Sequence, residues 1–294
     1  MRFIGAHRER WGVEPICRTL QVAPSTYYAA VARLPSARQL SDRRLKIEIV
    51  RVHRANFGVY GIEKVWRQLN REDIEVGRDR VARLMDDLEL SGVMRGKKKR
   101  TTVPAELSAR PADLVERQFS AAAPNRLWVA DLTYVSTWTG FVYVAFVIDV
   151  FSRFIVGWRV SASLHADLAL DALEMAIWRR QRQDLTGLIH HSDRGVQYLS
   201  VRYTERLAEA GAVCSVGSRG DSYDNALAEA VNGLYKAEVI RKSGPWRSLE
   251  HVELATAEWV DWWNHQRLHS AIRDVPPAEF EALYYRQRDG DAAA

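Results

Sequence analysis

An α/β chain with a mixed five-stranded sheet flanked by helices, preceded by an all-α helix-turn-helix region, is the architecture that these 294 residues predict. Three observations lead to it. Up to residue 100 the apolar residues recur at helical spacing, whereas from Asn125 three runs rich in β-branched and aromatic residues follow one another. An Ala/Pro/Thr-rich stretch with little periodicity, residues 101–123, separates the two patterns and reads as a linker. The charge changes sign across the same region: residues 1–110 carry 23 Lys and Arg against 13 Asp and Glu, and the remainder carries 19 against 24. A basic part joined to a mildly acidic part suggests nucleic-acid binding beside a second activity.

Residues 1–35 read as a first helix-turn-helix. Pro15 sits in the first turn of one helix, the chain breaks at Gln21–Ala23, and Ser25 is the expected N-cap of the next helix. Ile16, Leu20, Tyr28 and Val31 are expected in a shared core, with Ser25, Thr26 and Tyr27 at the end where recognition helices meet DNA. Residues 42–100 read as a second helix-turn-helix-like unit. Arg78, Arg80 and Arg83 lie on its later helix, and the basic run Arg95, Lys97, Lys98, Lys99 and Arg100 follows Gly92. Cations placed there would neutralise phosphates.

Residues 124–284 form the expected core with its C-terminal helices. LWVADLTYVSTW, FVYVAFVIDVFS and RFIVGWRVSAS make an antiparallel meander, with turns near Thr139-Gly140 and Ser152-Arg153. A helix, the strand GLIHHSD, a helix, the short strand AVCSVGS, a long helix from about Ser222 to Ile240 and another from Ser248 to His265 complete the order. That order matches the ribonuclease H-like architecture.

Three carboxylates stand out. Asp131 lies in the middle of an apolar strand, where an ionised group costs several kcal/mol unless it is paired or metal-bound. Arg126 and Arg194 are the candidate ion-pair partners. Asp193 follows LIHHS at a strand's carboxyl end, where sites of sheet proteins gather. Glu229 shares a polar stripe with Asn225, Asn232 and Lys236, at i, i+4, i+7 and i+11, while Ala226, Leu227, Ala230 and Leu234 supply the packing side. Mg²⁺ or Mn²⁺ prefers such oxygen donors, and two ions held together suit in-line phosphoryl displacement. Asp149, ending the second strand, is a rival ligand by position, but a pairing with Arg153 favours a structural role. His190 and His191 point to opposite faces of their strand, so at most one would reach the site. Asp221 and Asp224 suit capping of the Glu229 helix, and Trp259, Trp262 and Trp263 suit core positions.

The segments NRLWVADLTYV, FVYVAFVIDVFSR, HHSDRGVQY, SRGDSYDNALAEAVNGLYKAE and WWNHQRLHSAI resemble the second-reading-frame proteins of bacterial insertion sequences, DDE transposases with a retroviral-integrase-like core. Thirty-five residues separate Asp193 from Glu229, the family spacing, and Lys236 falls seven positions after Glu229, where the family carries a basic residue. The resemblance implies a catalytic triad of Asp131, Asp193 and Glu229 holding two Mg²⁺ or Mn²⁺ ions. It implies DNA contacts by Lys236, Asn225 and Asn232, and cleavage followed by 3′-OH strand transfer at the ends of the element. It further implies double-stranded DNA as partner, a homo-oligomer on DNA, and fusion to or partnership with an upstream-frame protein. Asn264, Gln266, Arg267 and His269 resemble the terminal motif of the family, and Asp221 departs from its expected basic or neutral residue.

Two other readings stand beside this one: a nuclease of the same fold that never joins, and a non-catalytic DNA-binding regulator or partial subunit. Cys17 and Cys214 are too few for a disulfide framework or a four-cysteine zinc site. No apolar run is long enough to span a membrane, and the N-terminus has charges where a signal peptide needs its apolar stretch. A cytoplasmic, nucleoid-associated protein is the expectation.

Overall fold

The computed structural model describes residues 1–94, 120–192, 196–216 and 226–292. Two compact units divide between Arg51 and Val52. The first contains α1 (Arg2–Trp11), α2 (Val13–Thr19), α3 (Pro24–Ala32) and most of α4 (Ala37–Ala55). Ile4, Ile16, Cys17 and Tyr27 form its small core. The sequence expectation needs correction here. α3 starts with Pro24 in its first turn and Ala23 as N-cap, after a turn in which Gln21 takes φ 54°, so Ser25 is not the cap. That start turns Tyr27 inward. The next residue is rotated by about 100° on a helix, and Tyr28 is exposed, as are Leu20 and Val31. Tyr27 is therefore a core residue and not part of a DNA-facing end.

The second unit opens with α5 (Ile62–Arg71) and α6 (Arg78–Asp87), an amphipathic pair that buries Val65, Leu69, Val81, Leu84 and Met85. These helices belong to the same compact unit as the sheet, although the sequence places a linker between residues 42–100 and the core. The Tyr60 hydroxyl accepts from the Leu268 amide at 2.8 Å, the Trp262 indole donates to Asn56 Oδ1 at 3.0 Å, and Arg71 pairs with Glu279 at 2.6 Å.

The sheet follows the expected order. β1 (Leu127–Thr137), β2 (Gly140–Asp149) and β3 (Ile155–Ser161) form the meander. α7 (Ala166–Arg179), β4 (Ile189–Ser192), α8 (Val201–Glu209) and β5 (Val213–Val216) come next. The spatial order is β3-β2-β1-β4-β5, with β1, β2 and β3 antiparallel and β4 and β5 parallel to β1. This is the ribonuclease H-like sheet. α9 (Ala226–Tyr235), a π-helical turn over Lys236–Ile240, α10 (Arg241–Ser243), α11 (Leu249–His265) and α12 (Pro277–Ala292) complete the chain. The long helix expected to Ile240 therefore leaves α-geometry at Lys236, and Ser222–Asn225 of that expectation lie outside the described residues. α11 starts as read, with the Ser248 side chain accepting from the His251 amide.

Strand alternation sends Trp128, Ala130, Ala145, Val147 and Val156 to one face, where α7 and α8 cover them. The opposite face carries Phe146, whose ring meets Tyr235 of α9 at 5.2 Å and Trp259 of α11 at 5.9 Å. α7 approaches the sheet closely because its inner side is small (Ala169, Ala172 and Ala176) and because β3 has Gly157 beneath it. A Cβ at Gly157 would lie 2.0 Å from the Ala172 carbonyl oxygen and 2.9 Å from Ala176 Cβ. Gly157→Ala should therefore push α7 off the sheet and lower unfolding free energy by about 1–3 kcal/mol in denaturant titration. An unchanged midpoint would show that α7 does not pack this tightly.

Candidate active site

Asp131 sits opposite Phe146 on β1, the central strand, on the face that α9 covers. It is half-buried. Its Oδ1 accepts from the Leu132 amide at 2.8 Å, and its Oδ2 accepts from Asn232 Nδ2, also at 2.8 Å. Asn232 is a buried residue of α9, and its Oδ1 has no partner among the described residues. The carboxylate on the sheet is thus answered by a carboxamide on the helix. Arg126 is exposed, and Arg194 lies outside the described residues.

Glu229 is three residues before Asn232 on the same helix and is half-buried. Residues at i and i+3 are surface neighbours, with Cβ atoms about 5–6 Å apart. The Asn232 contact therefore brings the Glu229 face of α9 to Asp131. Four residues after Asn232, Lys236 places Nζ 4.6 Å from the centre of the Tyr134 ring. Burial holds its ammonium below the ordinary lysine range, helped by Arg241 and opposed by the Asp131 charge. Of the expected stripe, Glu229, Asn232 and Lys236 are described, whereas Asn225 is not. Asp193 also lies outside the described residues. β4 ends at Ser192, whose register partner is Ala130, the residue before Asp131.

Comparison with known proteins decides the family. Residues 121–222 match one integrase core domain family, residues 210–277 match a second integrase core domain family, and residues 39–98 match an HTH-like domain family. The chain is 60% identical over 277 residues to a protein of insertion sequence element IS986/IS6110 of Mycobacterium tuberculosis, covering 93% of this chain and 100% of that one. It is 54% identical over 292 residues to the transposase for insertion sequence element IS629 of Shigella sonnei, covering 98% and 97%. The chain belongs to the insertion-sequence transposases. Among solved structures, the transposase is similar to the HTLV-2 integrase catalytic core domain, with 16% identity, a TM-score of 0.41, and coverage of 54% of this chain and 98% of that one.

The remaining candidates in the transposase separate clearly. Asp149 is fully buried and structural: its Oδ2 accepts from the Asn125 amide at 2.7 Å, and its Oδ1 accepts from the Ser152 amide and hydroxyl at 2.9 and 3.0 Å. Burial pushes its carboxyl above the usual range, against those donors. Beside it, Glu281 receives two hydrogen bonds from Arg180, at 2.8 and 2.6 Å, and its Oε1 lies 2.6 Å from the Ser152 hydroxyl, whose single proton the two carboxylates share. Arg78 is exposed and pairs with Glu63 at 3.1 Å, and Arg80 is half-buried on the same helix. Lys97, Lys98, Lys99, Arg100, Asp221 and Asp224 lie outside the described residues. His190 and His191 point to opposite faces, as alternation requires: the first meets the Tyr203 hydroxyl at 3.1 Å, and the second meets Ser215 Oγ at 2.9 Å. Among the described residues, no three His, Cys, Asp or Glu side chains form a metal-sized group.

A second buried cluster escapes sequence reasoning. Glu238, in the π-turn that follows α9, pairs with Arg267 at 2.6 Å and accepts from the Trp259 indole at 3.0 Å. Arg267 lies 4.6 Å from the Trp263 ring centre, and Trp259, Trp262 and Trp263 are all buried. The aromatic and basic cluster of WVDWWNHQRLHSAI is thus core, and it clamps the turn leading out of α9. Glu238 and Arg267 are 29 residues apart, and no local spacing announces the pair.

Two predictions follow from this geometry. Asn232→Leu removes the donor from Asp131 and should reduce DNA strand cleavage at least about tenfold, given that a hydrogen bond to a charged group contributes roughly 1.5–3 kcal/mol; a variant that folds and cleaves normally would dissociate Asn232 from the site. Burial pushes the imidazole of His190 down to about 4. Its unfolded counterpart takes up a proton near 6.5, so the unfolded chain binds more protons between these values and stability falls as pH drops through that window. His190→Asn should recover about 2–3 kcal/mol of the loss in unfolding free energy between pH 6.5 and 4.5, measured by denaturant titration at each pH.

Proposed function

We propose that this transposase cleaves and joins DNA at Asp131, Asp193 and Glu229, using two Mg²⁺ or Mn²⁺ ions. The observation that carries the proposal is the contact between Asp131 and α9, which brings the helix face bearing Glu229 to the central strand. Covalent continuity supports including Asp193: it is joined to Ser192, successive Cα atoms are about 3.8 Å apart, and Ser192 is paired beside Ala130.

The residues fit the implied cations. The two printed donors to Asp131, the Leu132 amide and the Asn232 carboxamide, are neutral, and a carboxylate oxygen of this kind is a ligand such cations take. All three proposed ligands are hard oxygen donors of the kind these ions take. Bound there, the ions would supply charge stabilisation to the attacking and leaving oxygens of an in-line displacement.

The chain's own contribution is positioning. Asn232 fixes the Asp131 carboxylate, and the Glu238–Arg267 pair fixes the turn after α9. Lys236, half-buried beside the site, would contact a phosphate of the reacting strand. In the first step the oxygen of a water molecule bonds to phosphorus, the P–O3′ bond breaks, and the released 3′ oxygen takes up a proton that the water gives up. In the second step the oxygen of that 3′-OH bonds to the phosphorus of another phosphodiester, the P–O3′ bond there breaks, and the proton of the attacking hydroxyl passes to the leaving 3′ oxygen. Phosphodiester bonds are exchanged without a covalent protein–DNA intermediate.

The helical residues 1–35 and 42–100 are proposed to hold element ends, with Arg78, Arg80 and the run Lys97–Arg100 on phosphates. Two ends must be brought together, so a multimer on DNA is part of the reading, as is a contribution from an upstream-frame protein. No described helix is long and apolar enough to cross a membrane.

A strand-transfer assay with labelled element ends tests the proposal. The native chain with Mg²⁺ should yield joined product, and a chelator should abolish it. Asp131→Asn and Glu229→Gln should each lose cutting and joining by orders of magnitude while DNA binding persists. Nicks without joined product would indicate a hydrolase, and binding without any cleavage would indicate a regulator.

A further inference from the structure

The hairpin of β1 and β2 carries three large aromatic side chains in the open: Tyr134 is 50% exposed, Trp138 68% and Phe141 56%. Tyr134 and Phe141 touch each other, and Trp138 stands at the tip of the same hairpin, a grouping of exposed aromatics that suits contact with a partner. Each of the two places has its own cation. Lys236 Nζ lies over Tyr134, whose ring meets Phe141 at 5.6 Å, and the Arg247 guanidinium lies 5.6 Å from the Trp138 ring centre. Trp138 also forms one wall of a cavity of about 580 Å³ whose other lining includes Arg247, Ser243, Ser248 and His251. The hairpin tip is anchored there, because the Trp138 amide donates to the Trp246 carbonyl at 3.0 Å.

The charge around the cavity selects the occupant. Arg247 is the cation of the cavity lining, and among the described residues no carboxylate lines the cavity. The one acid of the 236–247 stretch, Glu238, is buried against Arg267. Glu250, two residues after Ser248, is exposed, and the hydrogen bond from the Ser248 hydroxyl holds its carboxyl below the usual range. An indole face, a cation beside it and the Ser243 hydroxyl within one cavity match a nucleotide, with base on ring and phosphate on guanidinium. A base inside a duplex presents only its edges, so the ligand that this surface fits is an unpaired strand.

We propose that the exposed face of the β1–β2 hairpin is a track for an unpaired DNA strand, with one base stacked on Trp138 and the adjacent phosphate held by Arg247. Resting on the functional reading above, the track runs from Asp131 by way of Lys236, which meets Tyr134 on the other face of β1, to the hairpin tip. From Asp131 to Thr137 is six residues of strand, about 20 Å at about 3.3 Å each. The stacked base therefore lies several nucleotides from the reacting phosphodiester.

The test is equilibrium binding of the full chain, by fluorescence anisotropy and without divalent metal, to a duplex carrying a single-stranded oligothymidine tail and to the same duplex without the tail. Trp138→Ala should weaken tailed DNA about tenfold, the loss expected for one stacked base, and leave the untailed duplex almost unchanged. Trp138→Phe should restore most of the loss. Arg247→Ala should weaken tailed DNA and reduce the salt slope by about one. Equal losses on both DNAs, or no loss on either, overturn the proposal. So does a Trp138→Ala variant with normal DNA affinity and reduced self-association in sedimentation, which would make this face a contact between copies. Strand transfer is absent from these readouts, so failure of the triad assignment and failure of the track give different results.

Discussion

A carboxylate on the central strand of an apolar sheet has to be met by a donor or a cation, and in this fold the described answer to Asp131 comes from a helix. Asn232 supplies a 2.8 Å hydrogen bond, and the same bond docks α9 on β1. Glu229 lies one turn away on that helix, so the bond that stabilises Asp131 also docks the helix that carries Glu229. The opposite end of α9 is held independently. Its C-terminal Tyr235 packs on Phe146, and the π-turn that follows places Glu238 against Arg267 and Trp259. A buried ion pair adds little net stability, but losing one partner leaves an unpaired buried charge costing about 3–5 kcal/mol. Such a pair resists sliding of the helix more than it adds to the depth of the fold.

The fold of the catalytic part was readable from the chain because its signals are local. Alternating apolar runs marked β1, β2 and β3, and Ser248 marked the start of α11. Asp131 was conspicuous as a charge within a strand. What escaped depended on distance along the chain. The family resemblance implies a DNA contact for Asn232, and its role as partner of Asp131 appears only when α9 meets β1. The Glu238–Arg267 pair and the bonds from Asp149 to Asn125 and Ser152 are likewise products of topology. The π-turn at Lys236 has no sequence pattern by which to be found. In the first unit the N-cap of α3 lies two residues before the expected Ser25, and Tyr27 takes the core place expected for Tyr28.

The family comparison and the packing illuminate each other at α5 and α6. The HTH-like match spans residues 39–98, and these two helices share a compact unit with the integrase-type sheet. Tyr60 meets the Leu268 amide and Trp262 meets Asn56, so the terminal segment WWNHQRLHSAI serves two ends. Through Arg267 it holds the turn beyond α9, and through Leu268 and Trp262 it holds the chain entering α5. One aromatic and basic motif thus ties the helical pair to the helix that carries Glu229.

Convergence of the three acids around divalent cations is the claim that everything functional depends on. Its most direct test is metal-directed cleavage of the polypeptide, with Fe²⁺ in place of Mg²⁺ and the cut sites mapped by mass spectrometry. Cuts beside residues 131, 193 and 229 together, suppressed by excess Mg²⁺ and lost in Asp131→Asn, are the predicted result. Cuts scattered along the chain, or clustered at a different set of acids, would contradict the account.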